Sequence, residues 1–214
     1  MSIPAGNLAA NVSPNIAARW YWIVFAVTTA FQVVRLGQDT PAGWQAVDYA
    51  MRLAALALLA FSPVRAAVFH RENLRVTYPR LLLLLLATVV AVVLNYLFGW
   101  ALWRFLPDLS LGRYPRMTGF PYVFDLIFGM ALVAVHEELV YRRLARLAFS
   151  RLGDGLAMIA TTSVLFGLYH WWTGPWNVLA VALIGAVLMM LYRAVGALWP
   201  SIVVHYCIDL YAFW

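Results

Sequence analysis

The chain has 214 residues, of which 64% are hydrophobic and only 11% are charged, and its formal net charge is +6. A soluble domain keeps about a quarter of its residues charged, so this composition excludes an ordinary soluble protein and indicates a membrane protein. The 15 basic residues are all Arg and lie mostly between apolar runs. Such residues orient membrane helices and contact anionic lipid, so nucleic acid is not an expected partner.

Seven apolar segments predict an all-α fold, a polytopic transmembrane helix bundle with about seven spans. A span needs about 20 apolar residues, and fewer where Arg or Trp anchors its ends. Residues 1–19 are expected to form an N-terminal cytoplasmic segment, and residues 20–214 one transmembrane domain. In chain order the predicted spans are residues 20–34, 42–61 (which includes Arg52), 81–103, a long helix from Pro121 that outlasts its apolar part, and then 155–172, 178–192 and 198–214.

The distribution of Arg predicts the orientation of the bundle. With a cytoplasmic N-terminus, ten Arg fall on the inside, namely Arg19, Arg65, Arg71, Arg75, Arg80, Arg142, Arg143, Arg146, Arg151 and Arg193. Four fall on the outside, namely Arg35, Arg104, Arg113 and Arg116. The excess on one side predicts an inside N-terminus and an outside C-terminus.

Ionisable side chains inside the apolar segments are the strongest functional signal. An Asp at the centre of a membrane helix costs roughly 2.5–3.5 kcal/mol, so such residues are rarely incidental. Seven such histidines and acids are singled out, and all but Asp125 fall into three short clusters, near the ends of the fourth, fifth and seventh segments. The clustered residues are His136, Glu137, Glu138, His170, His205 and Asp209.

In the first cluster, Glu138 and Arg142 are four residues apart, so they share a helix face and are expected to form an ion pair. Glu137 points about 100° away from that face and is expected to lack this partner. Glu138 would then be kept ionised by Arg142, while Glu137 would be available to accept and donate protons. The alternative interpretation is an interfacial helix end with solvated charges.

The other two clusters each contain a histidine. His170 lies four residues after Phe166 and before two Trp, a pattern also typical of an interfacial aromatic belt. His205 and Asp209 share a helix face, which suits a carboxylate that fixes an imidazole tautomer, or a structural polar bridge between helices.

A turn at Gly153 relates the first two clusters. Glu137 lies 16 residues before Gly153 and His170 lies 17 residues after it. If both helices run unbroken to this turn, an antiparallel hairpin places the two side chains at the same height. His205 follows the last hairpin turn by a similar rise. We therefore expect Glu137, His170 and His205 to converge on one polar pocket near the cytoplasmic face.

These clusters resemble the three motifs of the CAAX protease and bacteriocin-processing family (the Abi family), which includes the CAAX prenyl endopeptidases. The family pattern is Glu-Glu-x-x-x-Arg, Phe-x-x-x-His and His-x-x-x-Asn or Asp on successive membrane helices. The motifs stand here as Glu137, Glu138 and Arg142, then Phe166 and His170, then His205 and Asp209. The resemblance covers about residues 121–214, the expected catalytic core, and the first three spans match only as generic membrane helices. Two positions depart from it, because Arg143 stands where Gly is common and Asp209 where the prenyl endopeptidases have Asn.

The resemblance implies an intramembrane endopeptidase of the bacterial cytoplasmic membrane that hydrolyses a peptide bond of a membrane-anchored peptide or protein. It implies that Glu137, assisted by His170, activates a water molecule as general base. His205, with Asp209 behind it, would stabilise the oxyanion. It assigns substrate binding or structural support to Glu138, Arg142 and Phe166.

Three alternatives stay open from the sequence. No cofactor is expected, but zinc is possible, with Glu137, His170 and His205 as ligands. The His-Glu-x-x-His zinc signature is absent, because Val140 occupies the position of the second His. A non-catalytic membrane binding or bacteriocin-immunity protein is the second alternative. The third is an ion or proton transporter, although the sequence contains no repeat.

Overall fold

The computed structural model describes residues 12–70, 75–105, 109–115 and 117–214. Within these ranges every regular element is a helix, as the all-α prediction requires. Residues 1–11 of the predicted N-terminal segment, and Arg71 and Arg116 of the orientation argument, lie outside the described residues.

Each predicted span overlaps one long helix. In chain order the helices are α1 (Pro14–Leu36), α2 (Pro41–Ala60), the short α3 (Arg65–Val68), α4 (Tyr78–Phe105), the segmented α5, α6 (Leu156–Tyr169), α7 (Pro175–Val195) and α8 (Trp199–Phe213). Helix α5 is continuous and consists of α-helical Gly119–Phe124, Met130–Glu138 and Ala145–Ala148 with π-helical Asp125–Gly129 and Leu139–Leu144 between them.

Only part of the predicted span count is supported by helix length and composition. Three described helical stretches are long and apolar enough to cross a membrane, namely Pro14–Leu36, Tyr78–Phe98 and Pro175–Val195. Helix α6 is apolar but shorter, and α2 carries Asp48 and Arg52 within its apolar run. A bundle of about seven spans therefore stays a prediction.

The chain forms two compact units. The first consists of the described residues of Met1–Arg71 and Tyr114–Arg151, and thus contains α1, α2, α3 and α5. Helix α1 packs against α2 and against the last segment of α5, while α2 packs against Met130–Glu138. The middle of α5 thus lies against the helix that carries Asp48 and Arg52.

The second unit consists of the described residues of Glu72–Arg113 and Leu152–Trp214, with α4, α6, α7 and α8. Helix α7 packs against the other three. A Cβ atom on Gly167 would lie 2.5 Å from the Val178 carbonyl oxygen and 2.8 Å from the Ala182 Cβ, so only glycine lets α6 and α7 approach this closely. The apolar core of this unit comprises Ala87, Ala91, Ile184, Leu188, Leu191, Val195, Ala197, Val204 and Ile208.

The turn after α5 is built as the sequence indicates, but the helix ends earlier than predicted. Its last α-helical segment ends at Ala148, because Phe149 leaves the helical region with φ −103° and ψ 18°. A single 3₁₀ turn, Ser150–Leu152, leads to Gly153, whose φ of +69° lies in the left-handed region that favours glycine. The prediction of an unbroken helix up to this turn is therefore wrong by one short turn.

Three of the described Arg residues used to predict the orientation are buried. Arg142 and Arg143 are buried in the first unit, and so is Arg35. Buried, paired charges do not report on the side of the membrane as loop charges do. Omitting them leaves eight Arg inside and three outside, so the predicted orientation keeps its basis and stays a prediction.

Reporter fusions test the orientation. A reporter placed after Arg75 should be cytoplasmic, and one placed after Trp214 should be on the outer side, because five predicted spans separate the two positions. A fusion at Arg19 serves as the cytoplasmic control. Both reporters on one side would rule out the seven-span arrangement.

Candidate active site

The acidic cluster of the first unit lies deep inside α5. His136, Glu137 and Glu138 end its middle α-helical segment, directly before the π-helical Leu139–Leu144. All three side chains are buried, with Glu137 only 1% exposed. Single π-helical turns inside α-helices are frequent at functional sites. This segment changes the register of the residues that follow the two acids.

The predicted pair of Glu138 and Arg142 is observed. Arg142 Nε lies 3.1 Å from Glu138 Oε2, and both side chains are completely buried. Two charges removed from water are tolerated only when they neutralise each other at close range. This pair therefore fixes the register of the π-helical turn that it spans.

Glu137, which was expected not to share Arg142 with Glu138, has an arginine partner on a different helix. Arg52 of α2 donates from Nη1 to Glu137 Oε1 at 2.8 Å. The two residues are 85 positions apart. Helical periodicity within one segment identifies only partners three or four residues away, so it could not indicate this contact.

The guanidinium of Arg52 also binds two further side chains. It contacts Asp48 through two hydrogen bonds, Nε to Oδ2 at 2.8 Å and Nη2 to Oδ1 at 3.2 Å. Its Nη1 lies 3.2 Å from His136 Nδ1. Because a guanidinium can only donate, His136 Nδ1 accepts, and the proton of a neutral His136 is on Nε2.

Asp48 also pairs with Arg35, at the end of α1. The guanidinium of Arg35 in turn lies over the ring of Trp44, 4.2 Å from its centroid, which is a favourable cation–π distance. A buried row of alternating charges thus runs from Arg35 through Asp48 and Arg52 to Glu137.

Asp125, the ionisable residue that fell outside the three clusters, accepts hydrogen bonds from two tyrosines. Tyr49 donates to its Oδ1 at 2.5 Å, and Tyr114 lies 2.9 Å from its Oδ2. Burial raises the pKa of Tyr114, which lies in the loop before α5, far above its usual value. Tyr114 therefore stays a neutral hydrogen-bond donor and ties its loop to α5.

Arg143, which departs from the family pattern, has a structural role. Its Nη1 donates to the Val68 carbonyl at 2.8 Å and to the His70 carbonyl at 3.3 Å. The last carbonyls of a helix have no partner within the helix. Arg143 satisfies such groups at the end of α3 and thereby holds it against α5.

In the second unit, His170 directly follows α6, and the backbone fixes its imidazole. Its Nδ1 lies 2.9 Å from the Phe166 carbonyl oxygen. A carbonyl only accepts, so Nδ1 carries the proton, and in the neutral ring Nε2 keeps its lone pair. Thr173 donates to the His170 carbonyl at 2.6 Å, and Asn177 donates to Thr173 at 2.7 Å, so a short polar chain fixes the turn that carries His170.

The second unit also brings together the other three predicted residues. The ring of Phe166 makes edge contacts with both imidazoles, at centroid distances of 5.0 Å to His170 and 5.9 Å to His205. His205 Nε2 lies 3.7 Å from Asp209 Oδ2 on the same face of α8. Phe166 thus contacts both imidazoles, and His205 and Asp209 share a helix face as predicted, at a distance longer than a hydrogen bond.

The predicted site residues are divided between the two units. Glu137, Glu138 and Arg142 belong to the first, whereas the two imidazoles with Phe166 and Asp209 belong to the second. Their convergence therefore stays a prediction. Within either unit, the described residues bring together no group of three His, Cys, Asp or Glu that could hold a metal ion. A zinc site made of Glu137, His170 and His205 would have to draw on both units.

Asp48 was not identified from the sequence as a site residue, and Arg52 was assigned no role. The signal was present, because two opposite charges stand four residues apart inside an apolar run, the same pattern that identified Glu138 and Arg142. Arg52 was noted only as a residue of the predicted span 42–61. The first three spans lie outside the family match, as the resemblance indicated, yet α2 supplies the partner of Glu137.

The long apolar helices indicate an integral membrane protein. Its helices carry buried, paired acids and an imidazole with a fixed orientation. Residues 119–211 match the model of the family described as type II CAAX prenyl endopeptidase Rce1-like. These residues are therefore similar to that family, which confirms the resemblance carried by the three motifs and suggests a membrane protease. No curated protein and no solved structure matches the chain.

Removing one member of the buried Glu138–Arg142 pair tests whether it supports the fold. We expect Glu138→Ala and Arg142→Ala each to lower the free energy of unfolding by roughly 3–5 kcal/mol, because each leaves a buried charge without its counterion. The measurements are membrane accumulation and thermal unfolding in detergent. The double variant Glu138→Gln/Arg142→Gln, which removes both charges, should be milder. Normal accumulation and stability of Arg142→Ala would show that the pair does not support the fold.

Proposed function

We propose that the protein is an intramembrane endopeptidase that hydrolyses a peptide bond of a membrane-associated substrate near the cytoplasmic face. The observation that carries the proposal is the set of oriented groups inside the segment that matches the protease family. This segment contains a buried carboxylate at Glu137, an imidazole with a fixed tautomer at His170, and an imidazole beside a carboxylate at His205.

In this mechanism Glu137 is the general base. It takes a proton from a water molecule as the water oxygen attacks the carbonyl carbon of the scissile bond, and then passes the proton to the departing amine. A base must be in its ionised form before each cycle. The contact of Glu137 with the Arg52 guanidinium supports that form, since a cation within hydrogen-bond distance favours the carboxylate.

The two imidazoles have different roles. His170 presents Nε2 as an acceptor, because its Nδ1 proton is held by the Phe166 carbonyl, and so it assists Glu137 in orienting the water. His205, next to Asp209, is suited to carry a proton and to donate to the oxyanion of the tetrahedral intermediate. An ionised Asp209 cannot donate to an oxyanion as Asn would, so its role is to orient His205.

The remaining site residues support these groups. Phe166 separates the two imidazoles, and the pair of Glu138 and Arg142 holds the helix that carries Glu137. A membrane protease acts on a membrane-associated substrate, here a lipid-anchored peptide or protein. The proposed location is the bacterial cytoplasmic membrane, with the N-terminus inside and the C-terminus outside.

Substitution of the three reacting groups tests the catalytic assignment. With a farnesylated peptide that ends in a CAAX sequence as the probe, in lipid vesicles, Glu137→Gln, His170→Ala and His205→Ala should each lower kcat at least about 10³-fold, because members of one catalytic unit are not additive. The exposed residues Asp39 and His70 provide matched controls, as Asp39→Asn and His70→Ala. Each control should keep the wild-type rate.

The same Glu137→Gln variant identifies native substrates. Membrane proteins whose cleaved fragments disappear equally in a deletion strain and in a Glu137→Gln strain are substrates of the protease. A non-catalytic binding or immunity protein predicts the opposite, that Glu137→Gln behaves like wild type and only the deletion has an effect.

Zinc dependence is tested by elemental analysis of detergent-purified protein. The Glu–His mechanism predicts no stoichiometric zinc and no loss of cleavage after treatment with a chelator. About one zinc per chain, lost together with activity in His170→Ala, would replace this mechanism with a zinc-dependent one. His70→Ala again serves as the control, since it removes an imidazole outside the site.

A further inference from the structure

We infer that Arg52 is a positioning residue for Glu137, and that it keeps this carboxylate ionised and aimed in one direction. The inference rests on the proposed role of Glu137 as general base. Arg52 lies on α2, before the segment that matches the protease family. Neither the three motifs nor the family match therefore assigns it a role.

The geometry of Arg52 suits orientation as well as neutralisation. Asp48 binds one edge of the guanidinium through Nε and Nη2, which fixes the plane of the group. The remaining nitrogen, Nη1, is then aimed at Glu137 Oε1, 2.8 Å away. A planar guanidinium can hold one carboxylate edge-on and direct another donor elsewhere, whereas a lysine ammonium is a point charge with no fixed plane.

Charge balance gives the second argument. The row contains two cations, Arg35 and Arg52, and two acids, Asp48 and Glu137, and none of the four side chains is more than 5% exposed. With both acids ionised these four residues carry no net charge, and protonation of Glu137 would give them a net positive charge. Such a charge inside an apolar bundle is costly. The row therefore favours the basic form of Glu137.

The neighbouring acid shows that this arrangement is more than a means of holding α5 in place. Glu138 already pairs with Arg142 within α5, so the local fold of that helix has its own ion pair. Glu137 is instead bound from a different helix, by a guanidinium whose other edge is occupied by Asp48. The contact of Glu137 with Arg52 therefore does not depend on the ion pair that stabilises the helical turn around Glu137.

Two double variants separate positioning from charge balance. Asp48→Asn/Arg52→Gln removes one positive and one negative charge and takes the guanidinium away from Glu137. Arg35→Gln/Asp48→Asn removes the same number of charges but leaves Arg52 beside Glu137, and the amide oxygen at position 48 can still accept a hydrogen bond from the guanidinium. Both are measured in lipid vesicles with the farnesylated CAAX peptide, together with wild type and Glu137→Gln, and their thermal unfolding is compared in detergent.

We expect the variant without Arg52 to lose at least about 10²-fold in kcat, the scale of a misplaced catalytic group, with KM changed less than about threefold. The variant that keeps Arg52 should lose less than about tenfold, at a similar unfolding temperature. The charge of Glu137 is read independently with dicyclohexylcarbodiimide, which reacts with protonated carboxyl groups in apolar surroundings. Mass spectrometry should find Glu137 labelled in Asp48→Asn/Arg52→Gln but not in Arg35→Gln/Asp48→Asn.

The outcomes distinguish this inference from the proposed function. If Glu137→Gln abolishes cleavage while the two double variants have equal kcat and equal labelling, Arg52 does not position Glu137, and the inference is wrong. If Glu137→Gln cleaves like wild type, the proposed function fails instead. The labelling comparison then still decides whether Arg52 controls the charge of Glu137. Labelling of Glu137 only in the variant that lacks Arg52 supports this control, and equal labelling in both double variants overturns it.

Discussion

The guanidinium of Arg52 contacts Asp48 on its own helix and Glu137 on α5, and the arrangement of the first unit depends on these contacts. Ionised side chains in an apolar bundle are stable only when opposite charges meet at hydrogen-bond distance. Sliding α2 along α5 by a single helical turn would separate Arg52 from Glu137 and leave both buried. The ion pair therefore fixes the register of the two helices, which apolar packing alone would leave poorly defined.

The second unit orients its ionisable groups by other means. His170 is held by a backbone carbonyl, and the ring of Phe166 sets its distance from His205. Close approach of α6 to α7, which Gly167 permits, supports this arrangement. In the first unit the charge of an acid is thus balanced by residues distant in the chain, whereas in the second the tautomer of His170 is set locally.

Several positively charged residues have roles that their position in the sequence does not indicate. Arg142 and Arg143 follow the acidic cluster like the charged end of a membrane helix, yet both are buried. Arg143 binds the carbonyls at the end of α3 where relatives of this type commonly have Gly. Arg35 resembles a loop residue but pairs with Asp48. Arg35 and Arg143 each reach a partner on another element, whereas Arg142 pairs with Glu138 within α5.

The sequence by itself determined the helical class, the approximate limits of the long helices, the resemblance to a protease family, the ion pair of Glu138 with Arg142 and the shared helix face of His205 and Asp209. These features follow from composition and from helical periodicity, which act within one segment. Only the tertiary structure revealed that Arg52 binds Glu137, that Tyr49 and Tyr114 hold Asp125, and that Phe166 separates the two imidazoles. Most of these contacts join residues far apart in the chain, and helix packing, which sequence spacing does not encode, brings them together.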